Sequence, residues 1–244
     1  MNITVATNAN RKFRKTMEDA HTIIAPFKGT RGYFAVFDGH AGATAAQQCA
    51  KTLDKILAKE LGRSESVANA LNKSFQAMDG QFVNIKNAGC TACVGIVSHD
   101  NVLTVANIGD TRAVLCRNGR ALRLSYDHRA SDVNERTRII NGGGLVINNR
   151  VNGVLAVTRA FGDLYMKDYV VSAPYTTETK LTSADEFLIL ACDGIWDVCN
   201  DQAACDIVKE HIELKSKDIA DELVKIALEM GSMDNLTVVV VRLQ

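Results

Sequence analysis

The sequence predicts an α+β fold, a β-sandwich flanked by helices. Three observations carry this expectation. Eight short runs rich in β-branched and aromatic residues are separated mainly by short turns. Helical periodicity is confined to a pair of segments after the first strands, a short segment in the middle and a pair near the end. An alternating βαβ succession is absent, which argues against a doubly wound parallel sheet. Short turns can join only antiparallel neighbours, because a parallel pair needs a long crossover.

The strand-like runs are residues 3–6, 33–37, 92–98, 102–106, 113–116, 121–124, 186–191 and 236–242. Between the fifth and sixth lies Arg117-Asn118-Gly119-Arg120. Asn-Gly is a strong hairpin signal, since a type I′ turn needs positive φ at both central positions. Residues 43–61 carry Ala46, Cys49, Leu53, Ile56 and Leu57 on one helical stripe; residues 65–82 carry Val67, Leu71, Phe75, Met78 and Phe82. The later helices are expected at 205–214 (Ile207, Val208, Ile212) and at 216–230 (Ile219, Leu223, Ile226, Met230), the last stopping at Gly231. A shorter helix over about 132–140 would end at the Gly142-Gly143-Gly144 run. Only Pro26 and Pro174 occur, no Pro- or Ser-rich linker divides the 244 residues and no repeat is visible, so residues 1–244 read as one domain.

Composition excludes several function classes. Hydrophobic residues make up 47% and charged residues 23%, which rules out a disordered tail or a collagen-like repeat. The 28 Lys plus Arg balance the 28 Asp plus Glu, so no electrostatic footprint suggests nucleic acid or an anionic membrane. The longest apolar runs fall far short of the roughly 18 residues of a membrane helix. The odd number of cysteines, seven, is thinly spread and suits reduced thiols in the cytoplasm or nucleus. With no added interaction element visible, a monomer is expected.

Charged residues stand at the ends of apolar strands. Residues 33–37 run into Asp38-Gly39-His40, residues 187–192 into Asp193-Gly194, and residues 102–108 into Gly109-Asp110, while Asp234-Asn235 opens the run 236–241. Any one of these would ordinarily be a turn, because Asp and Gly dominate turns for backbone reasons. Four together, with Glu18-Asp19 and the Asp193/Asp197 spacing, point further. If such acids converge, their repulsion must be relieved by cations or protons. Carboxylates without His or Cys partners favour hard cations: Mg²⁺, Mn²⁺ or Ca²⁺.

Seven phrases, in order and spanning nearly the whole chain, resemble the metal-dependent protein phosphatases, the type 2C serine/threonine family. They are Arg14-Lys15-Thr16-Met17-Glu18-Asp19-Ala20-His21; Phe37-Asp38-Gly39-His40-Ala41-Gly42; Ala106-Asn107-Ile108-Gly109-Asp110-Thr111-Arg112-Ala113; Ser125-Tyr126-Asp127-His128; residues 150–163, from Arg150-Val151-Asn152-Gly153 to Ala160-Phe161-Gly162-Asp163; Ala191-Cys192-Asp193-Gly194-Ile195-Trp196-Asp197; and Gly231-Ser232-Met233-Asp234-Asn235.

The resemblance implies two antiparallel sheets with helices on both outer faces, and hydrolysis of phosphoserine or phosphothreonine in protein substrates. It implies two Mg²⁺ or Mn²⁺ ions sharing a nucleophilic water, and a weaker third ion. Asp38 would bridge the two ions, with Glu18 and the carbonyl of Gly39 on one, and Asp193 and Asp234 on the other. Asp110 and Asp197, with Asp193, would form the weaker site. Arg14 would grip the phosphate and His40 would protonate the leaving alkoxide. A flap beside the site is implied between Gly162 and Asp185. The chain starts just before the first phrase and stops just after the last strand, as a catalytic domain cut from a longer protein would. The complete acid set argues against a catalytically silent relative; a docking domain within a larger signalling chain is the third reading.

Outside the resemblance, Arg14 sits in a basic run that would otherwise read as solvated surface. Asp19, Asp127 and His128 read as structural. Cys90 and Cys93 form a CxxC, yet in a strand they face opposite ways, so both read as core cysteines.

Overall fold

The computed structural model describes residues 1–83, 85, 87–213 and 218–243. Two antiparallel sheets lie face to face. From edge to edge, the first holds β1 (Asn2–Asn8), β13 (Leu236–Arg242), β12 (Asp185–Ala191), β6 (Arg112–Arg117) and β7 (Arg120–Arg123). The second holds β11 (Tyr175–Lys180), β5 (Val102–Ile108), β4 (Gly89–Ser98), β3 (Thr30–His40) and β2 (Ala20–Ile24), with the two-residue β10 (Phe161–Gly162) also paired to β4. The helices are α1 (Thr44–Glu60), α2 (Val67–Asp79), α3 (Val133–Asn141), α4 (Asp193–Trp196), α5 (Asp201–Glu213) and α6 (Ile219–Glu229).

The near-continuous apolar strands follow from burial on both faces. On β3, Phe34 and Val36 point between the sheets, where they meet Leu188 and Leu190 of β12 and Val239 and Val241 of β13. Tyr33, Ala35 and Phe37 point the other way, under Leu53 and Leu57 of α1 and Leu71, Phe75 and Met78 of α2. On the far side, Phe187, Ile189, Val238 and Val240 pack beneath Val208 of α5 and Leu223 and Val224 of α6. Helices therefore cover both outer faces, as the resemblance implies. Cys90 and Cys93 fall in different clusters, on opposite faces of β4.

All eight predicted strands form. Asn118 and Gly119 take φ of 49° and 69°, the type I′ hairpin. Five helices match the periodic stripes. Of these, α5 starts earlier than expected, at Asp201, and the expected positions 214 and 216 lie outside the described residues. Edge strands β2 and β11 escape a reading based on apolar character. The β11 sequence Tyr-Thr-Thr-Glu-Thr-Lys is largely polar and half exposed, and only backbone pairing to β5 reveals it. A small satellite layer, α3 with the β8 (Val146–Ile147) and β9 (Arg150–Val151) ribbon, closes over its own core of Ile139, Val151, Ala160, Met166 and Val170.

Candidate active site

Strand direction gathers the acids. β3 and β5 flank β4 antiparallel, so their C-terminal ends share one edge of their sheet. β12 ends where its antiparallel partner β13 begins, with Ala191 opposite Val238. The tips carrying Asp38, Asp110, Asp193 and Asp234 thus meet at one end of the sandwich. A pocket of about 220 Å³ opens there, lined by Arg14, Glu18, Asp38, Gly39, His40, Asp110, Asp193 and Asp234, with Arg150 and residues 155–157 as its outer wall. Asp197 lines the adjoining recess with Asp110, Asp193 and Arg129. The outer wall comes from the satellite layer, whereas part of the segment expected to form a flap, residues 175–180, is the edge strand β11 of the second sheet.

Backbone packing leaves no room for side chains beside the acids. A Cβ on Gly39 would lie 2.4 Å from the carbonyl oxygen of Glu18, and one on Gly194 would lie 2.0 Å from that of Asn235. Asn235 ties the first motif to the last. Its Oδ1 accepts from the Glu18 N–H at 2.9 Å, and its Nδ2 donates to the carbonyls of Ala9 (2.9 Å) and Thr16 (3.0 Å). The Glu18 carboxylate accepts from the Thr16 hydroxyl at 2.8 Å and from the Gly42 N–H at 2.9 Å.

The electrostatics are those of an acidic cluster. Asp38 is pushed well above the usual carboxylate range by burial first, then by Asp193, Asp19, Asp110 and Asp234. Asp193 is raised by burial and by Asp110, Asp234 and Asp197. Burial also raises Asp110, against the pull of Arg129. Asp19, which accepts from the Thr237 hydroxyl at 2.7 Å, is pushed up to about 6, mainly by burial. Protein cations already lean on this cluster: Arg14 contacts Asp234, and Arg129 spans Asp110 (2.9 Å) and Asp197 (2.7 Å).

An all-oxygen donor set with converging negative charge suits a hard divalent ion and not a soft one. The charge and donor chemistry of Asp38, Asp193, Asp234 and Glu18 around one pocket suit a hard divalent cation. Asp19 and Asp38 also approach the Cys192 thiol closely enough to enclose an ion. Burial and the nearby Asp19, Asp38 and Asp193 hold that thiol well above its ordinary range.

Four contributors were not foreseen from sequence: Asn235 as a clamp, Arg129 as a bridge, the Thr91–Thr111 hydroxyl pair at 2.5 Å under the pocket, and Asp163, whose Oδ2 lies 2.7 Å from His40 Nε2. Each lies in or beside a quoted phrase, but its partner is remote in sequence. Asp127 is structural, paired with Arg112 and Arg123. His128 is buried, donates its backbone N–H to the Gly109 carbonyl at 2.9 Å and is lowered to about 4, chiefly by burial.

The family model of Protein phosphatase 2C matches residues 3–236. Protein phosphatase 2C homolog 1 of Saccharomyces cerevisiae is 46% identical over 260 residues, covering 97% of this chain and 92% of the relative. The Schizosaccharomyces pombe protein of that name is 42% identical, covering 96% of this chain and 71% of its own length. Among solved structures, a phosphatase from a pathogenic strain of Toxoplasma gondii superposes with a TM-score of 0.87 at 26% identity, covering 98% and 92% of the two chains. A C. elegans sex determining protein gives 0.91 at 28% identity, covering all of this chain and 65% of that one.

Proposed function

The chain belongs to the protein phosphatase 2C family of metal-dependent serine/threonine phosphatases, and from that premise we propose that it hydrolyses phosphoserine and phosphothreonine in proteins with Mg²⁺ or Mn²⁺ held by Glu18, Asp38, Gly39, Asp193 and Asp234. The observation that carries the reading is the meeting of these five with Arg14 and His40 in one pocket.

When bound, the ions supply positive charge that a phosphomonoester dianion requires, and lower the pKa of water toward neutrality. The chain's own groups do the rest. Asp38, raised by burial and by Asp193, Asp19, Asp110 and Asp234, would hold the cations that relieve this like charge. Arg14, half exposed at the pocket mouth, offers a planar guanidinium to the phosphate oxygens, a geometry suited to paired hydrogen bonds. Its present contact with Asp234 keeps that fork at the pocket rim. His40 lines the same pocket, and in this reading it would give a proton to the serine or threonine oxygen as the P–O bond breaks. Asp110 and Asp197 would hold a weaker third ion only in competition with Arg129.

The chain is read as one catalytic domain acting as a monomer. All seven cysteines are buried and unpaired, which supports a reducing compartment, cytoplasm or nucleus. Among the described residues no helix is long and apolar enough to cross a membrane.

The test is hydrolysis of a phosphothreonine peptide and of p-nitrophenyl phosphate with Mg²⁺ or Mn²⁺, then after EDTA. Activity is expected only with the metal. Turnover that survives complete chelation, or an Asp38→Asn enzyme that keeps wild-type rate, overturns the reading.

A further inference from the structure

We propose that Asp163 is the positioning residue of His40: its carboxylate accepts a hydrogen bond from the ring Nε2–H, fixing the tautomer and leaving Nδ1 as the atom that passes a proton to the leaving oxygen. This rests on the reading of His40 as the acid for the departing side chain.

The strand register makes the pairing. His40 lies opposite Gly89 on β4, and Gly89 lies opposite Gly162 of β10 on its other side. β10 occupies the side of β4 that β5 vacates, since the β5 pairing stops at Ala92. Asp163 follows Gly162 directly, so it reaches His40 across a residue without a side chain. A Cβ on Gly89 would lie 2.3 Å from Asp163 Oδ2 and 2.6 Å from His40 Nε2, wedged between the pair. The turn is held independently. The Asp163 N–H donates to the Ala88 carbonyl at 3.2 Å, the Gly162 N–H donates to Asp79 Oδ1 at 3.0 Å, and Lys167 pairs with Asp79 at 2.7 Å.

Asp163 is fully buried, with φ of 49°, a left-handed backbone that Asp, like Asn, adopts more readily than most residues. Its Oδ1 has no hydrogen-bond partner, and among the described residues His40 is the only side chain bonded to the carboxylate. A ring nitrogen held by a carboxylate fixes which nitrogen faces the chemistry. In the step itself the P–O bond electrons remain on the serine or threonine oxygen, which takes the proton from Nδ1. The ring is left neutral, with Nε2–H still on Asp163.

Asp163→Asn keeps the volume, and Asn tolerates left-handed backbone. Its amide can donate to Nε2, which reverses the bond. With Mg²⁺ present, kcat for the phosphothreonine peptide should fall by roughly 10²-fold, a general-acid contribution. The rate for p-nitrophenyl phosphate, whose leaving group needs little protonation, should change little. Adding Asp163→Asn to His40→Ala should cost nothing more. In Mg²⁺-loaded wild type, long-range ¹H–¹⁵N spectra should show His40 Nε2 protonated, a readout that does not depend on the variant folding. If His40→Ala shows the leaving-group split and Asp163→Asn does not, or if Nε2 is unprotonated in the wild type, the positioning role is overturned while the His40 reading stands. Equal losses on both substrates in His40→Ala would remove the acid role and this inference with it.

Discussion

The α-carbon of Gly39 points at the backbone of Glu18 so closely that a methyl group there would sit 2.4 Å from the Glu18 carbonyl oxygen. Two proposed ligands from different motifs are thereby locked at one separation. Gly39→Ala is expected to force them apart, destabilising the fold by about 1–3 kcal/mol. Mn²⁺ affinity should fall at least as clearly. Calorimetric titration checks this; unchanged affinity in a folded variant would detach Gly39 from the ion site.

Like charge dominates the metal-free pocket, since Asp38 is raised by burial and four neighbouring aspartates. Asp38→Asn removes one negative charge at nearly constant volume. The variant should melt at or above the metal-free wild type, yet lose the rise in Tm that Mg²⁺ gives the wild type. Thermal melts with and without Mg²⁺ decide it, and a wild-type-sized Mg²⁺ response in the variant would count against Asp38 as a ligand.

Arg129 bridges Asp110 and Asp197, the pair expected to hold the weakest ion. Removing its charge in Arg129→Gln should strengthen the weakest Mn²⁺ binding event, because the guanidinium and the ion compete for the same carboxylates. Calorimetry reads this directly. A weakest event unaltered by the substitution would place the third ion elsewhere.

Glu135 on α3 is a buried hub of the satellite layer. It pairs with Arg159 at 2.7 Å and Arg138 at 2.9 Å, and accepts from the Thr158 hydroxyl at 2.7 Å. Glu135→Ala would leave Arg159 with the Ala173 carbonyl at 2.8 Å but without its carboxylate partner, and breaking a buried pair typically costs about 3–5 kcal/mol. Chemical denaturation gives the number.

The same carboxylate sets an acid limit. Although burial opposes it, the bonds from Arg159, Arg138 and Thr158 hold its pKa down at about 2. Its stabilisation is therefore complete above the ordinary carboxylate range and is lost as pH falls toward 2. Burial keeps His128 neutral down to about 4, so the unfolded chain binds the extra proton between pH 6.5 and 4, and stability falls with pH there too. The stability gap between wild type and Glu135→Gln should be constant from neutral pH to about 5 and close between about 4.5 and 2. A gap independent of pH would remove Glu135's charge from the account.

The order of strands and helices was legible in the sequence wherever burial leaves a periodic apolar pattern. Runs such as 33–37 and 187–192 are apolar throughout because both of their faces are covered. Asp38, Asp110 and Asp193 stood out because each ends such a run, and Asp234 because it opens one. Pairing was not legible, because it depends on register between segments far apart. β11 is polar, and only its bonds to β5 make it a strand. Asn235 clamps Glu18 across more than two hundred residues. Asp163 meets His40 only because three strands align over a glycine. Sequence determined which groups would end strands carrying charge. Tertiary structure alone decided which of them came within a hydrogen bond of each other, since that distance is set by sheet register and backbone packing and by no local preference of the residues themselves.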